Sequence, residues 1–179
     1  DLAESTAVVL LAPRGMALGE HGPVGPFDEL VYGELVQTPC IVRLPEGRGM
    51  LRRSQALVHS SDWYHTLAEL ITGEQAEAAA PLVPTPRSVL PLVDDPTAAW
   101  RDRAIVLGTP CNGSGRREVG LRTPAWYLRR GAVAGSAADA TTTEEPAADE
   151  LFAKPDDAWE ANDVADRCHD VVAMLHEAE

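Results

Sequence analysis

The sequence predicts an α/β fold: strand, loop, helix and strand at the front, then a longer helix, then a small antiparallel sheet closed by a terminal helix. Three observations carry this expectation. An apolar, β-branched run opens the chain at residues 6–12, TAVVLLA. Three short strand-like stretches separated by turn residues follow Asp94, and Val164, Cys168, Val171, Val172 and Leu175 fall at helical spacing near the end.

Taken in order, the run at 6–12 is bounded by Pro13 and Gly15 and has the composition of a strand buried on both faces of a parallel sheet. Such a strand needs neighbours, and none precedes it here, so the upstream half of its sheet is expected elsewhere. Gly15, Gly19, Gly22 and Gly25, with Pro23 and Pro26, make 13–27 a loop with access to unusual backbone angles. Residues 28–36 are expected as a short helix and 40–43 (CIVR) as a second buried strand ending at Pro45. After the apolar stretch 55–59, Ser61 is placed to cap a helix with Trp63, Leu67, Leu70 and Ile71 on one face, closing near Gly73.

Residues 104–108, 118–122 and 126–130 are the expected strands of the antiparallel sheet. The stretch 131–149 has little hydrophobic mass and a small alphabet, so it is expected as a flexible acidic loop. Asn162 is a candidate cap for the last helix, which should pack on the sheet. Two domains follow from this layout, 1–95 as an α/β core segment and 96–179 as a small C-terminal subdomain.

Bulk properties narrow the function classes. With 45% hydrophobic residues among 179 the chain can bury a core, yet its 5% aromatic content points to extensive loop. A formal charge of -13 opposes attraction to a phosphate backbone, so nucleic acid is excluded as a general partner. Much of the acidity lies after residue 140 and reads as a solvated tail. No apolar run approaches the roughly 20 residues of a membrane span, and residues 1–6 lack a signal peptide's basic start. Cys40, Cys111 and Cys168 form neither a disulfide framework nor a metal knuckle, and one pair plus a free thiol stays open.

Several stretches, in order, resemble the C-terminal half of sulfatases of the alkaline phosphatase superfamily. VVLLAPRGMALGEHGPVG at 8–25 is similar to that family's strand and loop, with Gly19, Glu20, His21 and Gly22 as its Gly-Glu-His-Gly. TPCIVRLPEG at 38–47 and ALVHSSDWYHTLAELITG at 56–73 resemble the following strand and helix, and SVLPLV, GLRTPAWYL, ELF and NDVA resemble the small closing sheet and helix. The resemblance implies an alkaline phosphatase-like mixed sheet with flanking helices, and an N-terminal half of the same protein as partner.

Active members of that family cleave sulfate esters with a formylglycine, made in a Cys/Ser-x-Pro-x-Arg segment, beside a divalent cation, usually calcium. None of the three cysteines here has Pro and Arg at those offsets, so no catalytic residue is assigned. The family's metal-ligating Asp and its His or Asn neighbour fall at Pro13 and Arg14, and its sulfate-contacting Lys falls at Pro26. Proline carries no side-chain oxygen and a guanidinium accepts no metal, so no metal ligand and no cofactor are expected.

Arg14, Glu20 and His21 remain as substrate-binding candidates, with Arg14 able to place a positive charge near the former cation or to hold an anion. The plainer readings are a solvent-facing arginine and a turn histidine. Asp62 is read as structural at the start of its helix. His169 and His176, beside Asp170 and Glu177, read as a solvated face rather than a zinc site. The expected function is that of a catalytically inactive sulfatase-like fragment. Two alternatives stay open: a portion of an active metal-dependent sulfuric ester hydrolase whose nucleophile and most ligands lie in a missing N-terminal half, and an acidic interaction module.

Overall fold

The computed structural model describes residues 2–75, 85–109, 116–134 and 148–177. Two units interleave along the chain: residues 1–13 with 39–104, and residues 14–38 with 105–179. They divide the chain differently from a single boundary near residue 95.

In the first unit, β1 (Val8–Leu11) pairs with β4 (Cys40–Arg43), Val8 opposite Arg43 and Leu11 opposite Cys40. The pairing is antiparallel, which corrects the expectation of a parallel neighbour, and it leaves Leu10 54% and Ile41 60% exposed. An apolar run records a demand for burial, but it does not specify the direction of the neighbouring strand. A short helix α1 (Leu2–Ser5) precedes β1.

Helix α3 (Asp62–Thr72) lies where its periodicity placed it and ends at Gly73, whose φ of 76° is the left-handed stop that glycine adopts freely. Ser61, however, makes no capping bond and already has helical angles. The Asp62 carboxylate instead reaches outside the helix, accepting the His59 N–H at 2.7 Å and the Arg87 N–H at 3.0 Å. The buried side chains are Asp62, Trp63, His65 and Thr66, while Ile71 is exposed, so the inward face lies nearer the N-terminal end than the apolar spacing suggested. Trp63 packs with Val89 and with Leu92 of α4 (Leu90–Asp94), against Val9, Val42, Ala56, Ala98 and Trp100. The stretch 55–59 forms no regular element.

In the second unit, four strands lie in the order β5 (Ala104–Leu107), β6 (Arg116–Arg122), β7 (Trp126–Ala134) and β8 (Glu150–Ala153). β6 with β7 is antiparallel, as the turn-separated strands implied, and β8, which was not among those strands, pairs antiparallel with β7. β7 runs on through Ala134, so the expected loop loses residues 131–134 to a strand. Residues 135–147 of that loop lie outside the described residues, as does Cys111.

The closing helix α5 (His169–Glu177) follows a 3-10 turn at Ala165–Arg167, and it buries Leu175 against Leu121, Leu128 and Leu151. Asn162 does not cap it. Asp163 instead accepts the N–H groups of Ala165 and Leu151, both at 2.9 Å, and so ties the turn to β8.

The segment expected as a helix over 28–36 is helical only at α2 (Gly33–Val36). The reason lies in its polar groups. The main-chain groups of Phe27, Asp28, Leu30, Val31 and Gly33 are engaged by Arg14, Thr109, Glu118, Tyr127 and Glu160, so the backbone is satisfied without helix bonds.

Candidate functional site

The loop singled out by the sequence belongs to the second unit and includes a small hairpin, β2 (Ala17–Leu18) paired with β3 (Val24–Gly25). Gly15 lies against α2, its N–H donating to Leu35 O at 2.8 Å. A Cβ there would meet Glu34 O at 1.8 Å, so only glycine allows this approach.

The three candidate side chains do not converge. Arg14 turns to the 27–30 turn, donating from Nε and Nη2 to Phe27 O at 3.2 and 2.9 Å and from Nη2 to Asp28 O at 3.1 Å and to Leu30 O. Its Nε also lies 3.3 Å from the Asp28 carboxylate. The guanidinium is therefore neither solvent-facing nor free. Glu20 is exposed and bonds locally, accepting the Leu18 N–H at 2.7 Å, and its own and Leu18's main-chain N–H groups hold its carboxyl below the usual range.

His21 belongs to a larger assembly. Its Nδ1 is 2.8 Å from Glu34 Oε1, and its Nε2 donates to Glu160 O at 3.2 Å. Its ring stacks on Tyr32 with centroids 3.9 Å apart and planes within 7°. Arg129 lies over the Tyr32 ring, 4.0 Å from its centroid. Arg129 in turn forms a two-pronged pair with Glu118 and a further pair with Glu150. Lys154 and Glu160, both buried, pair at 3.0 Å, and Glu160 accepts the Gly33 N–H at 2.8 Å.

The electrostatics follow from this packing. Burial opposes the charged form of His21, but the Glu34 hydrogen bond, the Glu160 carbonyl and the two nearby carboxylates outweigh it and raise the imidazole's pKa. Burial pushes the Tyr32 hydroxyl up to about 12. Burial likewise opposes the charge on Arg129, and Glu118 and Glu150 more than restore it. The result is a charge-paired, hydrogen-bonded ladder that fixes the turn 28–36 to β6, β7 and β8.

Tyr32, Glu34, Glu118, Arg129, Glu150, Lys154 and Glu160 were not singled out from the sequence, and no local motif marks them. Asp62 is structural, as expected, with its side chain fully buried and paired with Arg101 at 2.6 and 2.7 Å. His176 pairs with Asp149 at 2.7 Å. Among the described residues no three of His, Cys, Asp and Glu gather as a metal-ligand set. At the positions where the resemblance implies metal ligands, Pro13 offers no side-chain oxygen and Arg14 presents N–H groups already donated to carbonyls, donors that do not fit a divalent cation. No described helix is long and apolar enough to cross a membrane.

No family model matches the sequence, and no curated protein matches it. Solved structures do. BT4656, solved with its substrate D-glucosamine-2-N,6-O-disulfate, is similar with a TM-score of 0.72 at 20% identity over 98% of this chain and 34% of its own. YidJ from Bacteroides fragilis, described as a sulfatase, matches with a TM-score of 0.71 at 18% identity over 98% of this chain and 35% of its own. A Bacteroides thetaiotaomicron protein from a locus for metabolism of multiple glycosaminoglycans matches with a TM-score of 0.64 at 21% identity over 99% of this chain and 38% of its own. The chain therefore has the mixed α/β fold of the C-terminal portion of a sulfatase, and it spans about a third of the length of the sulfatase structures it matches.

Proposed function

We propose that this chain is the C-terminal portion of a sulfatase-like protein that is catalytically inactive. The observation that carries the reading is Arg14. At a position where the family resemblance implies a metal ligand stands a fixed cation, and its N–H groups are turned onto main-chain carbonyls rather than toward an open site. Pro13 beside it offers no donor, Pro26 stands where a sulfate-contacting lysine is implied, and no Cys-x-Pro-x-Arg occurs.

An N-terminal portion of the same protein is the proposed partner. Supporting this, the chain spans 34 to 38% of its structural neighbours, and apolar residues of β1 and β4 stand open in the first unit. The test is an assay of the longer natural product with an aryl sulfate and with D-glucosamine-2-N,6-O-disulfate, the substrate of the neighbour BT4656. Each substrate is offered with calcium and with chelator. The expected result is no turnover in any arm. Calcium-dependent turnover abolished by chelator would overturn the reading in favour of a metal-dependent sulfuric ester hydrolase.

A further inference from the structure

Three main-chain oxygens in the second unit converge on a single atom. Nη2 of Arg14 lies 2.9 Å from Phe27 O and 3.1 Å from Asp28 O and also bonds Leu30 O, while the Asp28 carboxylate stands 3.3 Å from Nε. A terminal guanidinium nitrogen carries two N–H groups in one plane, so three carbonyls around it exceed its directional capacity. What gathers them is positive charge at a point. Carbonyls with a neighbouring carboxylate are the donor chemistry of a hard cation such as calcium.

The turn is also held by groups other than Arg14. The Thr109 N–H donates to Asp28 O at 2.8 Å, Glu118 accepts the Val31 N–H at 3.1 Å, and the Tyr127 hydroxyl donates to Val31 O. Removal of the guanidinium would therefore leave an oxygen-lined cage in place. We infer that residues 27–30 form a cation cage whose resident in this chain is the Arg14 guanidinium, and that a hard divalent cation binds there once the guanidinium is gone. In the wild type the tethered guanidinium outcompetes dissolved cations because its effective concentration at the turn is far higher than theirs. The oxygens belong to the turn, so this holds whether or not the longer protein cleaves esters.

The experiment compares the intact chain with Arg14→Ala in thermal unfolding and calorimetric titration, using calcium chloride as probe and EDTA as the blank. Arg14→Ala should melt below the wild type in EDTA and regain at least half of the lost interval in calcium. It should bind one calcium per chain at least about tenfold more tightly than the wild type does, with the carbonyl carbon resonances of residues 27, 28 and 30 moving on binding. An unchanged melting temperature in EDTA overturns the inference, as does an equal calcium response in both chains, which would report surface carboxylates. If Arg14→Ala yields no folded protein, Arg14→Gln, neutral and of similar reach, takes its place. A folded Arg14→Gln that binds calcium no better than the wild type overturns the inference equally.

Discussion

His21 shows how one imidazole ties a surface hairpin to a buried network. Both ring nitrogens face acceptors and one ring face is covered by Tyr32, so the protonated ring fits its surroundings better than the neutral one. The sign of the pH effect follows. A pKa raised above its unfolded value, near 6.5, adds stability that is complete below that value and is lost as pH rises through the folded pKa. The stability difference between the wild type and His21→Gln should therefore be larger at acid than at alkaline pH, and the His21 ring resonance should titrate above 6.5. A midpoint below that value would remove the Glu34 contact from consideration. Deeper in the same ladder, Glu118→Ala leaves the buried Arg129 with Glu150 as its remaining carboxylate and uncaps the Val31 N–H. Loss of about 3 kcal/mol is expected by urea denaturation.

At the scale of elements, Asp62 joins three stretches of the first unit at the head of α3. It pairs with Arg101 and accepts N–H groups from His59 and Arg87, while Arg101 also donates to Thr85 O. The two partners are unequal. Removing Asp62 strands a buried guanidinium and two N–H groups, whereas removing Arg101 leaves a carboxylate that keeps both N–H groups. Asp62→Ala should therefore cost about 3 to 5 kcal/mol and Arg101→Met distinctly less, and equal losses in denaturant titrations would refute the asymmetry. These couplings also mark where sequence reading succeeds and stops. The strands β5 to β7, α3 with its glycine stop, and α5 were legible because alternation, helical spacing and turn residues are local signals, whereas β8 was marked only by the resemblance of its ELF stretch. The anchoring roles of Asp62 and Asp163 were not legible, since Ser61 and Asn162 have the better local credentials as caps and the bonds actually made reach outside the helices. The Gly- and Pro-rich loop that carries Arg14, Glu20 and His21 was legible from its composition. The ladder behind it was invisible, because Glu118 meets Val31 across 87 residues and Glu160 meets His21 across 139.

For the whole molecule, the balance between buried and open apolar surface bears on the proposal that the chain is part of a longer protein. The second unit closes its core between the four-stranded sheet and α5, with Leu128 and Leu151 fully buried. The first unit offers β1 and β4 with Val8, Leu10 and Ile41 open on one face, side chains whose apolar surface stands uncovered. If an upstream segment covers these strands, the same substitutions must act oppositely in two contexts. Leu10→Lys with Ile41→Lys should change the stability of the isolated chain by less than about 0.5 kcal/mol per site and improve its solubility. In the longer natural product, where each side chain would be enclosed, the same pair should cost about 1.5 to 3 kcal/mol per residue in lost burial, with more for charges left unpaired. Chemical denaturation of both forms, read alongside hydrogen exchange at the amides of residues 8–11, makes the comparison. Equal tolerance of the lysines in the two contexts would mean that β1 and β4 remain open in the longer protein, and the proposed partner would have to dock elsewhere.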